Sequence, residues 1–261
     1  MPGQLCAIHQ PNFFPRLSTL AKLFTADIWV VLDDVQFTRR DYQHRCVVTG
    51  PDGAERWMTI PVRLPAGRPT LIRDVLISDS GQARGKVRGL GRHCFAGSPY
   101  WPAVRDLLSQ VDDALARYDR LADVSEISVT ALLRTLIWPG TICRSSEIRT
   151  RTGRSERLAD LAVAVGASTY LCGTGGARYL DLTPFTTSSV SVSYFQPPES
   201  PSRQPYGHRV TSLATLAAAG PARLSGQLTE HAASWRALPA TVDSPADDDC
   251  IRAGIPVRPP A

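Results

Sequence analysis

The spacing of apolar residues predicts a strand, a helix and a second strand at the start of the chain. Residues 5–9 and 28–32 are short, nearly continuous apolar runs, as expected of strands that are buried on both faces of a sheet. Between them, apolar residues recur at helical spacing, with Ser18 or Thr19 as the candidate cap. This order of elements indicates the start of a parallel sheet.

The hydrophobic pattern of the remaining chain predicts a hairpin, a helical subdomain and further strands. Residues 46–48 and 56–62 flank a Pro-Asp-Gly turn and predict the hairpin. Two amphipathic helices, at 101–118 and 121–137, predict a helical subdomain at about 99–138. Short strands are also predicted at 71–77, 141–144, 168–172 and 188–195, and helices at 155–165 and 212–219.

These elements together predict an α/β fold with a mostly parallel sheet, flanking helices, the helical subdomain and an irregular C-terminal tail. From about residue 225 the chain is rich in Ala, Pro, Ser and Asp and shows little periodicity. Such a composition is typical of poorly ordered segments. We therefore predict one domain at 1–224 and a poorly ordered tail at 225–261.

Polar side chains stand at the ends of the first two predicted strands. His9 ends the first strand, and Asp33 and Asp34 follow the second. Because ligands bind outside the carboxyl ends of parallel strands, these side chains are expected to share one catalytic site. His9 is the candidate general base, and the alternative is a histidine that only hydrogen-bonds within a strand-end turn.

The two adjacent carboxylates and the basic and glycine residues that follow leave several functions open. Asp33 and Asp34 suit a divalent cation such as Mg²⁺, the orientation of a donor, or a helix cap. Arg39 and Arg45 could hold a phosphate or a carboxylate. The turn at 173–176 could cradle an anion or could simply be a tight connection, and Cys172 before it is interpreted as a buried hydrophobe.

Composition narrows the class of protein. The net charge of +5 comes almost entirely from scattered Arg, with Lys only at 22 and 86, which argues against binding to a nucleic acid duplex. The six cysteines form no CxxC pair, so neither a zinc site nor a disulfide scaffold is indicated. No apolar run reaches the roughly 18 residues that cross a bilayer, and no secretory signal is visible, so we expect no membrane partner and a cytoplasmic location.

Several of these stretches together resemble the WbqC-like protein family. The resemblance rests on IHQPNFFP at 8–15, ADIWVVLDDVQF at 26–37, YQHR at 42–45, TIPV at 59–62, SSE at 145–147, RL at 157–158 and YLCGTGGARYLD at 170–181. Family members usually carry Asn on both sides of Arg45, where this chain has His44 and Cys46, and Ser in place of Cys172. These departures leave the predicted core of the site in place, but they mean that the family resemblance does not identify the substrate.

The resemblance implies a bacterial enzyme of O-antigen or other surface-polysaccharide biosynthesis, or of specialised metabolism. It implies an acyl or aminoacyl transferase that acts on an amino- or hydroxyl-bearing small molecule. Its motif positions, together with their neighbours, give the predicted substrate contacts Gln10, Asn12, Gln36, Arg39, Arg45, Gly173, Thr174, Gly175, Gly176 and Tyr179. No metal ligand is assigned, and the cofactor is left open, with Mg²⁺ and a nucleotide as the candidates.

Two other functions compete with this prediction. The strand, His-Pro loop and helix at the start loosely resemble adenylyl-transferring or ligase-type enzymes, in which an early histidine meets nucleotide phosphates. The chain lacks the paired-histidine motif of those enzymes. A non-catalytic ligand-binding protein of the same pathway is the third possibility. Neither the donor, the acceptor nor the oligomeric state follows from the sequence.

Overall fold

The computed structural model describes residues 3–173, 176, 179–197 and 210–237. The strands are β1 (Leu5–His9), β2 (Ile28–Val31), β3 (Arg45–Thr49), β4 (Glu55–Thr59), β5 (Val62–Arg63), β6 (Leu76–Ile77), β7 (Thr141–Arg144), β8 (Thr169–Cys172) and β9 (Ser191–Tyr194). The helices are α1 (Leu17–Thr25), α2 (Ser80–Phe95), α3 (Trp101–Arg117), α4 (Leu121–Thr135), α5 (Arg154–Ala164), α6 (Thr183–Thr187), α7 (Ser212–Ala219) and α8 (Pro221–Ala237). Two 3₁₀ turns lie at Ile72–Asp74 and Ser145–Glu147.

A five-stranded parallel sheet forms the centre of the molecule, in the order β7-β2-β1-β8-β9. The chain starts at the central strand, builds outward to β7, and then crosses to β8 and β9 on the other side. Doubly wound α/β folds have this strand order, and their direction of winding reverses between the first strand and the strand that follows the crossover. In this chain the reversal falls between β1 and β8. The predicted α/β fold class is confirmed.

The two faces of the sheet are covered by different helices because its strands alternate their side chains. Leu5 and Ala7 of β1 belong to a large core that includes α1, α3, α4, α7 and α8. Cys6 and Ile8 of the same strand belong to a smaller core with α5 and α6. The helix between β1 and β2 therefore lies on one face, and the helix between β7 and β8 lies on the other.

The segment between β2 and β7 supplies the predicted hairpin and helical subdomain. β3 and β4 pair antiparallel, with Arg45 opposite Thr59, and α3 and α4 follow as the two predicted amphipathic helices. The strand predicted at 71–77 is wrong over most of its length. Its backbone makes isolated hydrogen bonds to residues 33–37, such as Arg73 N to Asp33 O at 2.8 Å, and coils into a 3₁₀ turn instead of forming a ladder.

The start of α1 also differs from the prediction. The helix begins at Leu17 with Arg16 as its N-cap residue, and no side chain caps it. Ser18 and Thr19, the predicted caps, lie inside the first turn. The Pro11–Pro15 loop already sets the direction of the chain, so the helix starts as soon as the loop ends.

Helix α8 occupies part of the segment in which we predicted a poorly ordered tail. Leu224, Leu228 and Ala232 lie four residues apart and are buried, and α8 packs on α1. Arg236 Nη2 donates to Thr25 O at 2.7 Å, at the carboxyl end of α1. Only one residue per turn is buried, and the others are small or polar, so the hydrophobic periodicity of this segment is weak. For this reason the sequence did not predict a helix here. Within the part of the chain that the structure describes, no helix is long and apolar enough to cross a membrane.

Candidate functional site

His9 and Gly173 lie at the carboxyl ends of the two strands between which the winding reverses. His9 is the last residue of β1, the central strand, and pairs with Val31 of β2. On its other side β1 pairs with β8 in the register Leu5 with Thr169 and Cys6 with Tyr170. From this register the two strands run on to His9 and to Gly173, the residues at the two strand ends that flank the reversal point. Doubly wound sheets bind ligands outside this reversal point, so His9 stands at the favoured position.

The His9 imidazole is held as a neutral ring with a defined tautomer. Its Nδ1 lies 2.9 Å from Gln10 O, and a carbonyl oxygen can only accept, so Nδ1 carries the proton. Burial of the ring lowers the pKa of His9 to about 3, and the charges of Lys22 and Arg16 lower it further. Nε2 is therefore unprotonated near neutral pH and can accept a proton from a substrate.

Lys22 of α1 is a site residue that the sequence analysis missed. It is only 5% exposed, and a Cβ added at Gly173 would lie 3.5 Å from its Nζ. Burial lowers the pKa of Lys22 to about 8. Its helical position is off the stripe of apolar residues from which the helix was predicted, so the pattern indicated an exposed side chain. The one available signal was that lysine occurs only twice in this arginine-rich chain.

The glycine turn after β8 is tight for a steric reason. Gly176 N donates to Gly173 O at 2.9 Å, and a Cβ at Gly176 would lie 2.8 Å from Cys172 Sγ. Burial raises the pKa of the Cys172 thiol, in keeping with its interpretation as a buried hydrophobe. Tyr179 is 69% exposed. The predicted contacts Thr174 and Gly175 lie outside the described residues.

Asp33 is buried and fully engaged by the turn that follows β7. Its Oδ1 accepts from Ser145 Oγ and from Ser146 N, each at 3.1 Å. Its Oδ2 accepts from Ser146 Oγ at 2.8 Å. Three donors on one carboxylate fasten the end of β2 to the end of β7. The Ser-Ser-Glu stretch was visible in the sequence, but its contact with the aspartate was not predicted.

Asp34 is engaged in the same network. It forms an ion pair with Arg157 of α5 and accepts a hydrogen bond from Ser145 Oγ. The Arg157 guanidinium also approaches Asp34 O at 3.4 Å. The structure thus brings Asp33 and Asp34 to the strand ends as predicted, but their carboxylates face the β2–β7 side, one strand away from the reversal point.

The loop after β1 is covered by the segment that precedes β3. Gln43 Nε2 donates to Gln10 Oε1 at 2.5 Å, and Phe13 N donates to Tyr42 O at 2.9 Å. Asn12 is buried, and its Oδ1 has no hydrogen-bond partner among the described residues. Residues 42 and 43 therefore cover the loop that carries Gln10 and Asn12.

Among the remaining predicted contacts, Arg45 and Gln36 donate to main-chain oxygens of the protein itself. Arg45 Nε and Nη2 donate to Asp41 O and Arg40 O at 3.1 and 2.7 Å, and its guanidinium lies 4.1 Å from the centre of the Trp57 ring. These contacts fix the loop before β3. Arg39 is exposed. Gln36 is also exposed, and its Nε2 donates to Arg68 O at 2.8 Å.

Comparison with known proteins gives one clear family assignment. The model of the WbqC-like protein family matches residues 10–225. The chain belongs to this family. It is also similar to the uncharacterized protein Rv1507c of Mycobacterium tuberculosis, with 24% identity over 189 residues, which cover 72% of this chain and 80% of that protein. No solved structure matches.

The WbqC-like match includes Asp33, Asp34, Lys22 and Gly173 but begins one residue after His9. The position of His9 at the end of β1 is therefore evidence of its own, separate from the match. Across the described part of this WbqC-like chain, no three His, Cys, Asp or Glu side chains converge to hold a metal ion. A cavity of about 550 Å³ lies elsewhere, along residues 65–76 and Arg120, and none of the predicted site residues line it.

Proposed function

We propose that this WbqC-like protein transfers an acyl or aminoacyl group from an activated donor to an amino- or hydroxyl-bearing small molecule. One observation carries the proposal: His9 is neutral, and its Nδ1–H is bound to Gln10 O at the carboxyl end of the central strand. This arrangement leaves Nε2 as a proton acceptor at the point where doubly wound folds bind ligands.

The reaction needs a single base beside the acceptor. The acceptor nitrogen or oxygen attacks the donor carbonyl carbon, and His9 Nε2 takes its proton. A new bond forms from the acceptor atom to the carbonyl carbon, the bond to the leaving group breaks, and the leaving group departs with the electron pair. The proton on His9 then passes to the leaving group or to water.

Asp33 and Asp34 receive a positioning role in this proposal. Their oxygens already accept from Ser145, Ser146 and Arg157, which fixes the β2 and β7 ends beside the base. The family resemblance adds the expected substrate class, an amino-bearing sugar or metabolite of a bacterial biosynthetic pathway.

The replacement His9→Asn tests the proposal. Asn keeps a side-chain N–H for Gln10 O but has no proton acceptor at the position of Nε2. Incubation with a panel of amino sugars and acyl or aminoacyl donors, followed by mass spectrometry, should show one acylated acceptor with the wild-type protein. We expect His9→Asn to lower kcat by about 10²- to 10⁴-fold. The exposed His93 provides the control His93→Asn, which should keep full turnover. Equal rates for wild type and His9→Asn would falsify the role of His9.

The strand order favours a second candidate, adenylyl transfer from a nucleotide. The order β7-β2-β1-β8-β9 is that of doubly wound nucleotide-binding sheets. In this reaction the acceptor attacks the α-phosphorus of ATP and pyrophosphate leaves. Release of pyrophosphate that depends on both ATP and an acceptor would support this candidate over acyl transfer. Acylation of an acceptor without pyrophosphate release would exclude it.

A further inference from the structure

Two cationic side chains, Arg16 at the start of α1 and Lys22 within it, lie close to His9. The charges of Lys22 and Arg16 both lower the pKa of this histidine, Lys22 more than Arg16. Lys22 is 5% exposed, and its Nζ reaches the glycine at the end of β8. Arg16 lies over the Tyr42 ring at 4.6 Å, and its Nε is buried without a hydrogen-bond partner. The reversal point is therefore bordered by two positive charges.

Neither cation has a carboxylate partner among the described residues. Burial lowers the pKa of Lys22, the nearby thiols of Cys172 and Cys6 oppose this shift, and no acidic side chain contributes. The acidic side chains at the neighbouring strand end are bonded to Ser145, Ser146 and Arg157. A buried ammonium without a counter-ion costs several kcal/mol, and an anionic ligand would offset this cost.

We propose that Lys22 and Arg16 bind a phosphate group of the activated donor, between His9 and Gly173 at the ends of β1 and β8. The part of this proposal that names the donor rests on the proposed function. Gly173 has no Cβ, which would lie 3.5 Å from Lys22 Nζ, so no side chain of this residue occupies the position next to the ammonium. Phosphate suits the pair because it offers several oxygens to one ammonium and one guanidinium. The same edge of doubly wound sheets receives nucleotide phosphates.

Binding of the phosphate also links the donor to the base. A bound anion offsets the charge of Lys22 and Arg16, and the pKa of His9 rises because both charges had lowered it. His9 becomes a stronger base when the donor is in place. Proton abstraction from the acceptor is thereby favoured in the complete complex and disfavoured in the free protein.

Calorimetric titration of the full chain with ATP, pyrophosphate and inorganic phosphate tests the site. The variant is Lys22→Met, and the matched control is Lys86→Met, which replaces the chain's other lysine on the exposed face of α2. We expect wild type and Lys86→Met to bind at least one of the three compounds. Lys22→Met should bind it about 10- to 100-fold more weakly. Thermal unfolding of Lys22→Met shows that the variant is folded.

Each outcome has a defined meaning. ATP binding without pyrophosphate or phosphate binding assigns the phosphate to a nucleotide, and binding of pyrophosphate or phosphate alone assigns it to a simpler phosphorylated donor; both support the site. Equal binding by Lys22→Met and wild type, or no binding of any compound by wild type, overturns it. His9→Asn should keep the anion affinity within a few-fold while it loses turnover. A variant of His9 that keeps turnover would refute the proposed base without affecting the Lys22 site.

Discussion

The two pairs of strand ends at the carboxyl edge of the sheet are built differently. At β2 and β7, the carboxylates of Asp33 and Asp34 accept hydrogen bonds from two serines, and Asp34 also pairs with Arg157. At β1 and β8, the polar groups are a neutral His9 and a buried Lys22 without an acidic partner among the described residues. The charged groups at the β2–β7 end therefore have partners within the protein, whereas Lys22 at the β1–β8 end has no acidic partner among the described residues.

This difference separates a structural site from a candidate binding site. Buried polar groups in folded proteins are nearly always paired, so the unpaired cation next to a base with a free lone pair supports our proposal of a ligand site there. By the same reasoning, the β2–β7 end needs no ligand. We therefore propose that, of the predicted site residues, His9 takes part in the chemistry and Asp33 and Asp34 support the strand ends.

Removal of the Asp33 carboxylate should have the largest effect on stability. Asp33→Ala leaves the hydroxyl and the N–H of Ser146 without their acceptor beside a buried strand end, and we expect a loss of about 3 kcal/mol in the free energy of unfolding. Urea denaturation measures it. The control Asp113→Ala, at an exposed position of α3, should change stability by no more than about 0.5 kcal/mol. A loss for Asp33→Ala as small as that of the control would show that the network is not structural.

Removal of the Lys22 charge should have the opposite sign. Below pH 8 the folded protein holds a buried ammonium, so Lys22→Met should raise the free energy of unfolding by about 2 kcal/mol at pH 7. Between the folded pKa of about 8 and the ordinary value of 10.5, the folded protein gives up this proton while the unfolded chain retains it. The wild-type protein therefore gains stability as the pH rises from about 8 to 10.5. Over this range the difference in the free energy of unfolding between Lys22→Met and wild type should disappear. Lys86→Met should show no such trend, and destabilisation by Lys22→Met at pH 7 would contradict the cost that we assign to the buried charge.

The His9 end should make the folded protein sensitive to acid. The pKa values of His9 and His44 are lowered by burial to about 3 and 4, from 6.5. As the pH falls below 6.5, the unfolded chain binds these protons and the folded protein does not, so stability falls, by about 1.4 kcal/mol per pH unit for each histidine. Urea unfolding from pH 6 to pH 4 should give a shallower dependence for His9→Asn than for His93→Asn. Equal slopes would mean that His9 takes up its proton freely in the folded state.

Much of the framework of the site could be predicted from local pattern. His9 ends an apolar run, so its place at a strand end followed from the sequence, as did the positions of Asp33, Asp34 and Gly173. The partners of these residues could not be predicted, because they come from distant parts of the chain. Ser145 and Arg157 lie more than a hundred residues from the aspartates that they bind. Arg45 shows the converse, since only the fold revealed that its donors are used by its own loop.

The sequence by itself determined most of the elements and their order, because strands, helices and turns depend on neighbouring residues. Examples of such local patterns are the apolar runs of β1 and β2, the helical spacing of α3 and α4, and the glycines after β8. The tertiary structure decided which of the polar strand ends remains unpaired. Strand order placed His9 at the reversal point, and packing buried Lys22 beside Gly173 even though its helical spacing indicated an exposed side chain. Burial and pairing are properties of the assembled sheet, and they set the charge and basicity of these residues.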